Sequence, residues 1–140
     1  MNATHRSNGA IFILEKQENE YWVTVKELPG CYASGSTIKE AINNAKDALT
    51  EHISGLLEIG DKIPEMFIND SYEYQIKYDL QTLFERFNVI NKTVLAEKAG
   101  INSSLLRQYS SGLAFASEKQ KIKIENAIHE IGSCLLEVCL

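Results

Sequence analysis

The side chains of this chain that are able to do catalytic chemistry are few, and nothing in the sequence gathers them. Two-metal hydrolysis requires several carboxylates converging on ions roughly 4 Å apart. The candidates in the first half are Glu15, Glu27, Asp47 and Glu51. Glu15 and Glu27 are expected on the solvent faces of strands, and no run of sequence forces the four together. His5 lies in a terminus expected to be loose. His52 and His129 fall on expected helices, without a carboxylate or cysteine at ligand spacing. Ser34, Ser36, Ser103 and Ser104 read as turn, cap or helix-start residues rather than nucleophiles. Cys31, Cys134 and Cys139 are an odd set without a C-x-x-C spacing, and they read as reduced thiols. The chain is therefore expected to have no catalytic residue, no metal site and no cofactor.

Binding is the remaining class, and charge separates two regions. The 140 residues carry a net charge of −5 and are 44% hydrophobic, ordinary for a globular protein. Residues 1–73 hold 6 basic and 12 acidic side chains, a net of −6, whereas residues 74–140 hold 8 and 7, a net of +1. An acidic half suits a basic partner, and a near-neutral half can approach phosphate. No apolar run approaches the roughly 18 residues that would span a bilayer. Met1 to Asn8 is polar without an apolar signal core, so a cytoplasmic protein is expected.

The elements follow from periodicity and punctuation. Ala10 to Glu15 and Tyr21 to Leu28 are apolar, aromatic or β-branched around the polar turn Glu18-Asn19-Glu20, which predicts a hairpin. Pro29-Gly30 is a turn signal, and Cys31 to Ser34 reads as a short third strand. Thr37-Ile38-Lys39-Glu40 is a capping box in which Glu40 is expected to reach back to the Thr37 N–H. The helix behind it places Ile38, Ala41, Ile42, Ala45, Leu49, Ile53 and Leu56 on one face. Gly55 and Gly60 weaken its end, and Pro64 excludes continuation. Tyr72 to Tyr78 alternates as a half-buried strand, so the order is β-β-β-α-β.

These residues carry a specific resemblance. Leu28-Pro29-Gly30-Cys31, the spacing to Gly35-Ser36-Thr37, and Glu40-Ala41, Asn44-Ala45-Lys46 and Ala48-Leu49 resemble the HicB antitoxin family over roughly residues 10–80. The resemblance implies a partial RNase H-like fold and a small basic HicA-like toxin, an mRNA interferase, as partner. It does not identify the residues that touch the toxin.

The second half is all helix. Leu80, Leu83, Phe84 and Phe87 fall at i, i+3, i+4 and i+7, which predicts a short helix burying all four. Asn91 is an N-cap for a helix to about Ala99, and Gly100 ends it by accepting a positive φ. Ile101 plugs the core; Asn102 or Ser103 begins a third helix with Leu106 and Tyr109 inward, closed by Gly112. Ser117-Glu118-Lys119 starts the last helix. Its apolar residues Ile122, Ile124, Ile128, Ile131, Leu135 and Val138 form a face too wide for one core, so part of it is expected to leave the monomer as a dimer contact.

Leu95, Ala96, Gly100, Ile101, Leu106 and Tyr109 resemble the Cro and lambda-repressor type of helix-turn-helix. Carried over, the resemblance assigns Asn91 and Lys92 to DNA phosphate and Asn102, Ser103, Ser104 and Gln108 to base edges. Arg107 is adjacent and can reach phosphate or guanine. The chemistry agrees, because hydroxyls and amides at a helix start can meet phosphates and base edges, and glutamine can pair with adenine through two bonds. Leu105 departs from the family, which more often has a small polar residue there; it either meets a thymine methyl or packs.

The expected architecture is thus α+β. Residues 1–79 form a toxin-binding module, and residues 80–140 form a DNA-binding helix-turn-helix domain. The expected protein is an antitoxin that occludes its toxin, binds operator double-stranded DNA as a homodimer or tetramer, and represses its own promoter. A stand-alone regulator whose first half oligomerises or senses a ligand is the alternative.

Overall fold

The structure is a computed structural model, and it describes residues 9–69 and 72–140. The terminal reading of Met1 to Asn8, including His5, lies outside these residues. Over the described residues the fold is mixed α+β with a four-stranded sheet and five α-helices, and the chain divides into two compact units at Asp79–Leu80.

In the first unit, alternation builds a two-faced sheet. β1 (Ala10–Gln17) pairs antiparallel with β2 (Glu20–Val25), and β2 pairs antiparallel with β3 (Tyr32–Gly35). β4 (Tyr74–Lys77) returns to lie parallel to β1, giving the order β3-β2-β1-β4. Ala10, Phe12, Leu14, Val23 and Val25 are buried on one face. α1 (Ile38–Glu58) covers that face with Ile38, Ala41, Ile42, Ala45 and Leu49. Burying a Leu- or Phe-sized side chain contributes roughly 1.5–3 kcal/mol, so this layer is the main source of the unit's stability.

Gly35 is needed where β3 meets the helix. A Cβ there would lie 2.5 Å from the Ala41 backbone nitrogen, closer than any packing allows. The cap beside it differs from the expected box. Thr37 Oγ1 accepts from the Glu40 N–H at 3.1 Å, as expected, but the Glu40 carboxylate accepts from the Ser36 hydroxyl at 2.6 Å and the Ser36 N–H at 3.3 Å. Glu40 therefore ties down the residue one step earlier.

Other expectations shift for physical reasons. The third strand begins at Tyr32, while Cys31 turns its thiol into the core. Gly55 lies inside α1, which runs 21 residues because its neighbours satisfy the backbone ladder. Glu27 lies beyond β2, off the strand solvent face, and both carboxylate oxygens accept from the Ile11 N–H at 3.0–3.1 Å. It closes the ladder where β2 has ended. A 3-10 turn at Glu65–Phe67 drives Phe67 into the core, where its ring meets Tyr72 edge-on at 5.0 Å.

The second unit contains α2 (Leu80–Arg86), α3 (Lys92–Ala99), α4 (Ser103–Ser111) and α5 (Glu118–Leu136). Phe84, Leu95, Ala96, Ile101, Leu106, Tyr109, Ile124 and Ala127 form its core. Phe87 falls outside this core: α2 ends at Arg86, and the ring is 38% exposed. On α5, Ile124 is buried and Ile131 half-buried, but Ile122 and Leu135 are exposed; the helix stops at Leu136, so Val138, also exposed, lies beyond the helical face expected to include it. The C-terminal half of the stripe therefore has no apolar cover within the unit's described residues. No helix among the described residues is long and apolar enough to cross a membrane.

Candidate nucleic-acid interface

Backbone chemistry fixes α3 and α4 against each other. Asn91 caps α3, its side-chain oxygen accepting from the Val94 N–H at 3.2 Å. Gly100 ends α3 at φ 71°; the Gly100 N–H donates to Glu97 O and the Ile101 N–H to Ala96 O. This pair of bonds satisfies the last carbonyls of α3. Ile101 then drops into the core, and Asn102 caps α4 at once, accepting from the Ser104 and Leu105 N–H groups at 2.9 and 3.4 Å. Only two residues separate the helical turn of Gly100 from α4, so the angle between the helices is set by one left-handed glycine and two caps.

The expected contact residues differ in exposure and in what their side chains already hold. Ser104, Arg107 and Gln108 are exposed on one stripe of α4, opposite buried Leu106 and Tyr109. Ser103 is half-buried beside the stripe. Asn91 and Asn102 are exposed, but each spends its side-chain oxygen on a helix cap and retains only the amide NH2 group for a ligand. Lys92 is half-buried, with its ammonium 5.6 Å from the centre of the Phe84 ring. Leu105 is half-buried against the core, so it packs.

Two residues escaped the sequence reading. Thr93 accepts a hydrogen bond from Arg107 Nη2, which holds the guanidinium at the start of α3. Ser111 extends the exposed stripe at i+7 from Ser104. The i, i+3, i+4, i+7 spacing of Ser104, Arg107, Gln108 and Ser111 was the available signal for it. No signal in the sequence pointed to the Thr93–Arg107 bond, which joins residues 14 apart on different helices. The arrangement presents hydroxyl, amide and guanidinium donors together on a helix surface, the donor set that reads base edges and phosphate.

The catalytic candidates are not brought together. Asp47 and Glu51 are exposed on α1, Glu15 lies on the open sheet face, and Glu27 is bound to the backbone. Among the described residues no group of three His, Cys, Asp or Glu is placed to hold a metal ion. Burial pushes the Cys31 thiol above its ordinary range, and Cys134 and Cys139 are exposed thiols.

Over 94 residues the chain is 37% identical to an uncharacterized 14.9 kDa protein from the rep-hol intergenic region of Haemophilus phage HP1, covering 59% of this chain and 70% of that protein. Over 54 residues it is 39% identical to a UPF0150 protein of Thermoplasma acidophilum, covering 39% of this chain and 78% of the relative. The model of the HicB-like antitoxins of bacterial toxin-antitoxin systems matches residues 10–121, which run from β1 into α5. The chain belongs to the HicB-like antitoxin family.

Proposed function

We propose that this protein neutralises a small basic HicA-like toxin through its first unit and represses its own promoter through its second. The carrying observation is the family match over residues 10–121, which takes in both the acidic αβ unit and the α3–α4 pair. Neutralisation is occlusion: an acidic surface covers a basic RNA-cutting protein, and charge complementarity speeds and orients the encounter. The β-β-β-α-β order with β4 parallel to β1 supports a partial RNase H-like module.

The second unit acts as a helix-turn-helix, with α4 entering the major groove. Ser104, Arg107 and Gln108 face base edges, Asn102 and Ser103 lie at the helix start, and Asn91 and Lys92 lie against phosphate. A homodimer forms through the exposed apolar end of α5 and the residues just after it, where Leu135, Leu136 and Val138 are 65%, 89% and 61% exposed. Two-fold symmetry then demands a palindromic operator with half-sites about one helical turn apart. Tetramers arise if the first units also associate.

The test is purification of the tagged full chain from its native host at low salt, with identification of what accompanies it. A stoichiometric small basic protein together with DNA from the chain's own promoter is the expected result. Promoter DNA without such a protein would replace the antitoxin reading with that of a stand-alone regulator.

A further inference from the structure

The sheet face away from α1 carries a grouping that neither the core nor the α3–α4 surface uses. In the β1–β2 register Glu15 stands opposite Trp22 and Ile13 opposite Thr24; across β2, Thr24 stands opposite Tyr32. Alternation puts all five on the face that α1 leaves open. With Gln17 they line a shallow cleft of about 300 Å3. Its two rings lie 6.0 Å apart at an angle of 38°, and Tyr32 is 59% exposed.

The chemistry of the cleft is incomplete by itself. Glu15 is its one charged lining residue and makes no ion pair among the described residues. Among the described residues neither ring of the pair holds a cation, although Lys16 lies 5.4 Å from the centre of Tyr21 and Lys46 lies 4.4 Å from that of Tyr74. Lys77, a cation on this face, is in register with Ile13 and is separated from the rings by β1. A carboxylate beside one exposed and one half-buried aromatic ring matches a guanidinium, which is flat enough to stack and forked to meet a carboxylate. The volume is at the lower end of small-molecule pockets, so the cleft suits one side chain better than a whole ligand.

We propose that the Glu15–Trp22–Tyr32 cleft receives an arginine side chain of a basic protein partner. The net charge of −6 over residues 1–73 favours such a partner. The inference deepens the toxin-binding reading and rests on it for the partner's identity; the cleft's preference for arginine stands on its own geometry.

Trp22 is the only tryptophan in the chain, so its fluorescence reports on the cleft directly. The full-length protein is titrated with hexa-arginine, hexalysine and hexacitrulline peptides. Saturable change with hexa-arginine is expected, at roughly threefold or greater preference over hexalysine, and none with hexacitrulline. Glu15→Gln and Tyr32→Ala should each weaken hexa-arginine by roughly threefold or more, with unchanged circular dichroism. Equal binding of the two cationic peptides, or wild-type affinity in both variants, overturns the proposal. The same variants are then tested against whatever small basic protein accompanies the wild-type chain. Undiminished capture would remove the cleft from the interface and leave the antitoxin reading intact. Arginine binding at Trp22 in a protein with no basic partner would remove that reading and leave the arginine site.

Discussion

The two units build their exposed surfaces in opposite ways. In the first, a 21-residue helix seals one side of a four-stranded sheet, and among the described residues 14 buried side chains form the core. The cleft on the free side of the sheet is then a surface assembled from three strands. In the second, α2, α3 and α4 span only 7, 8 and 9 residues, and eight buried side chains hold them with α5. Helices this short are marginal alone, so their caps and the shared core must supply the order. The difference teaches that the surface presented by the first unit depends on sheet register, whereas that of the second depends on a few backbone hydrogen bonds at helix ends.

The largest test of this contrast is Leu106→Ala. Leu106 is fully buried in the smaller core, and the cavity should cost roughly 2–5 kcal/mol. Thermal unfolding followed by circular dichroism should show a lowered transition for the second unit, while Trp22 fluorescence, which reports on the first, melts as in wild type. A common downward shift of both signals would mean that the units do not unfold separately.

Arg107→Ala combined with Gln108→Ala sharpens the surface half of the comparison. Each side chain that reads a base is worth roughly 1–3 kcal/mol, so the pair should weaken operator binding at least tenfold and leave toxin neutralisation unchanged. Unaltered affinity in a gel-shift titration would show that α4 is not the recognition helix.

Gly100→Ala should cost roughly 1–2 kcal/mol, because φ is 71° and the strain is purely conformational; no atom lies within 4 Å of the added Cβ. Gly100→Asn should recover part of the loss in denaturant titration. Equal loss in both variants would point to packing rather than to φ.

The smallest effect concerns thiols. Iodoacetamide near neutral pH should label Cys134 and Cys139 and spare buried Cys31, as read by mass spectrometry. Burial raises the Cys31 thiol, so the native state holds that proton more tightly than the unfolded chain does. Its contribution to stability is therefore complete below the ordinary value of 9.0 and is lost as pH rises through the higher folded value. Rapid labelling of Cys31 near neutral pH would contradict its place in the core.

What the sequence by itself determined is local. Alternation in Ala10–Gln17 and Glu20–Val25, the Thr37 cap, the left-handed glycine at 100 and the caps at Asn91 and Asn102 depend on neighbours within a few residues. For that reason the elements, their buried faces and the exposed stripe of α4 were legible, and so was the family. Tertiary structure decided what joins distant residues. It turned Phe67 inward through a short 3-10 turn and left Phe87 outside because α2 stops one residue earlier. It bound Glu27 to the Ile11 N–H and Arg107 to Thr93, and it set Glu15, Trp22 and Tyr32 side by side on three strands. Such contacts follow from strand register and helix crossing. Both are fixed by the burial of whole faces against one another, a condition no short stretch of sequence can express.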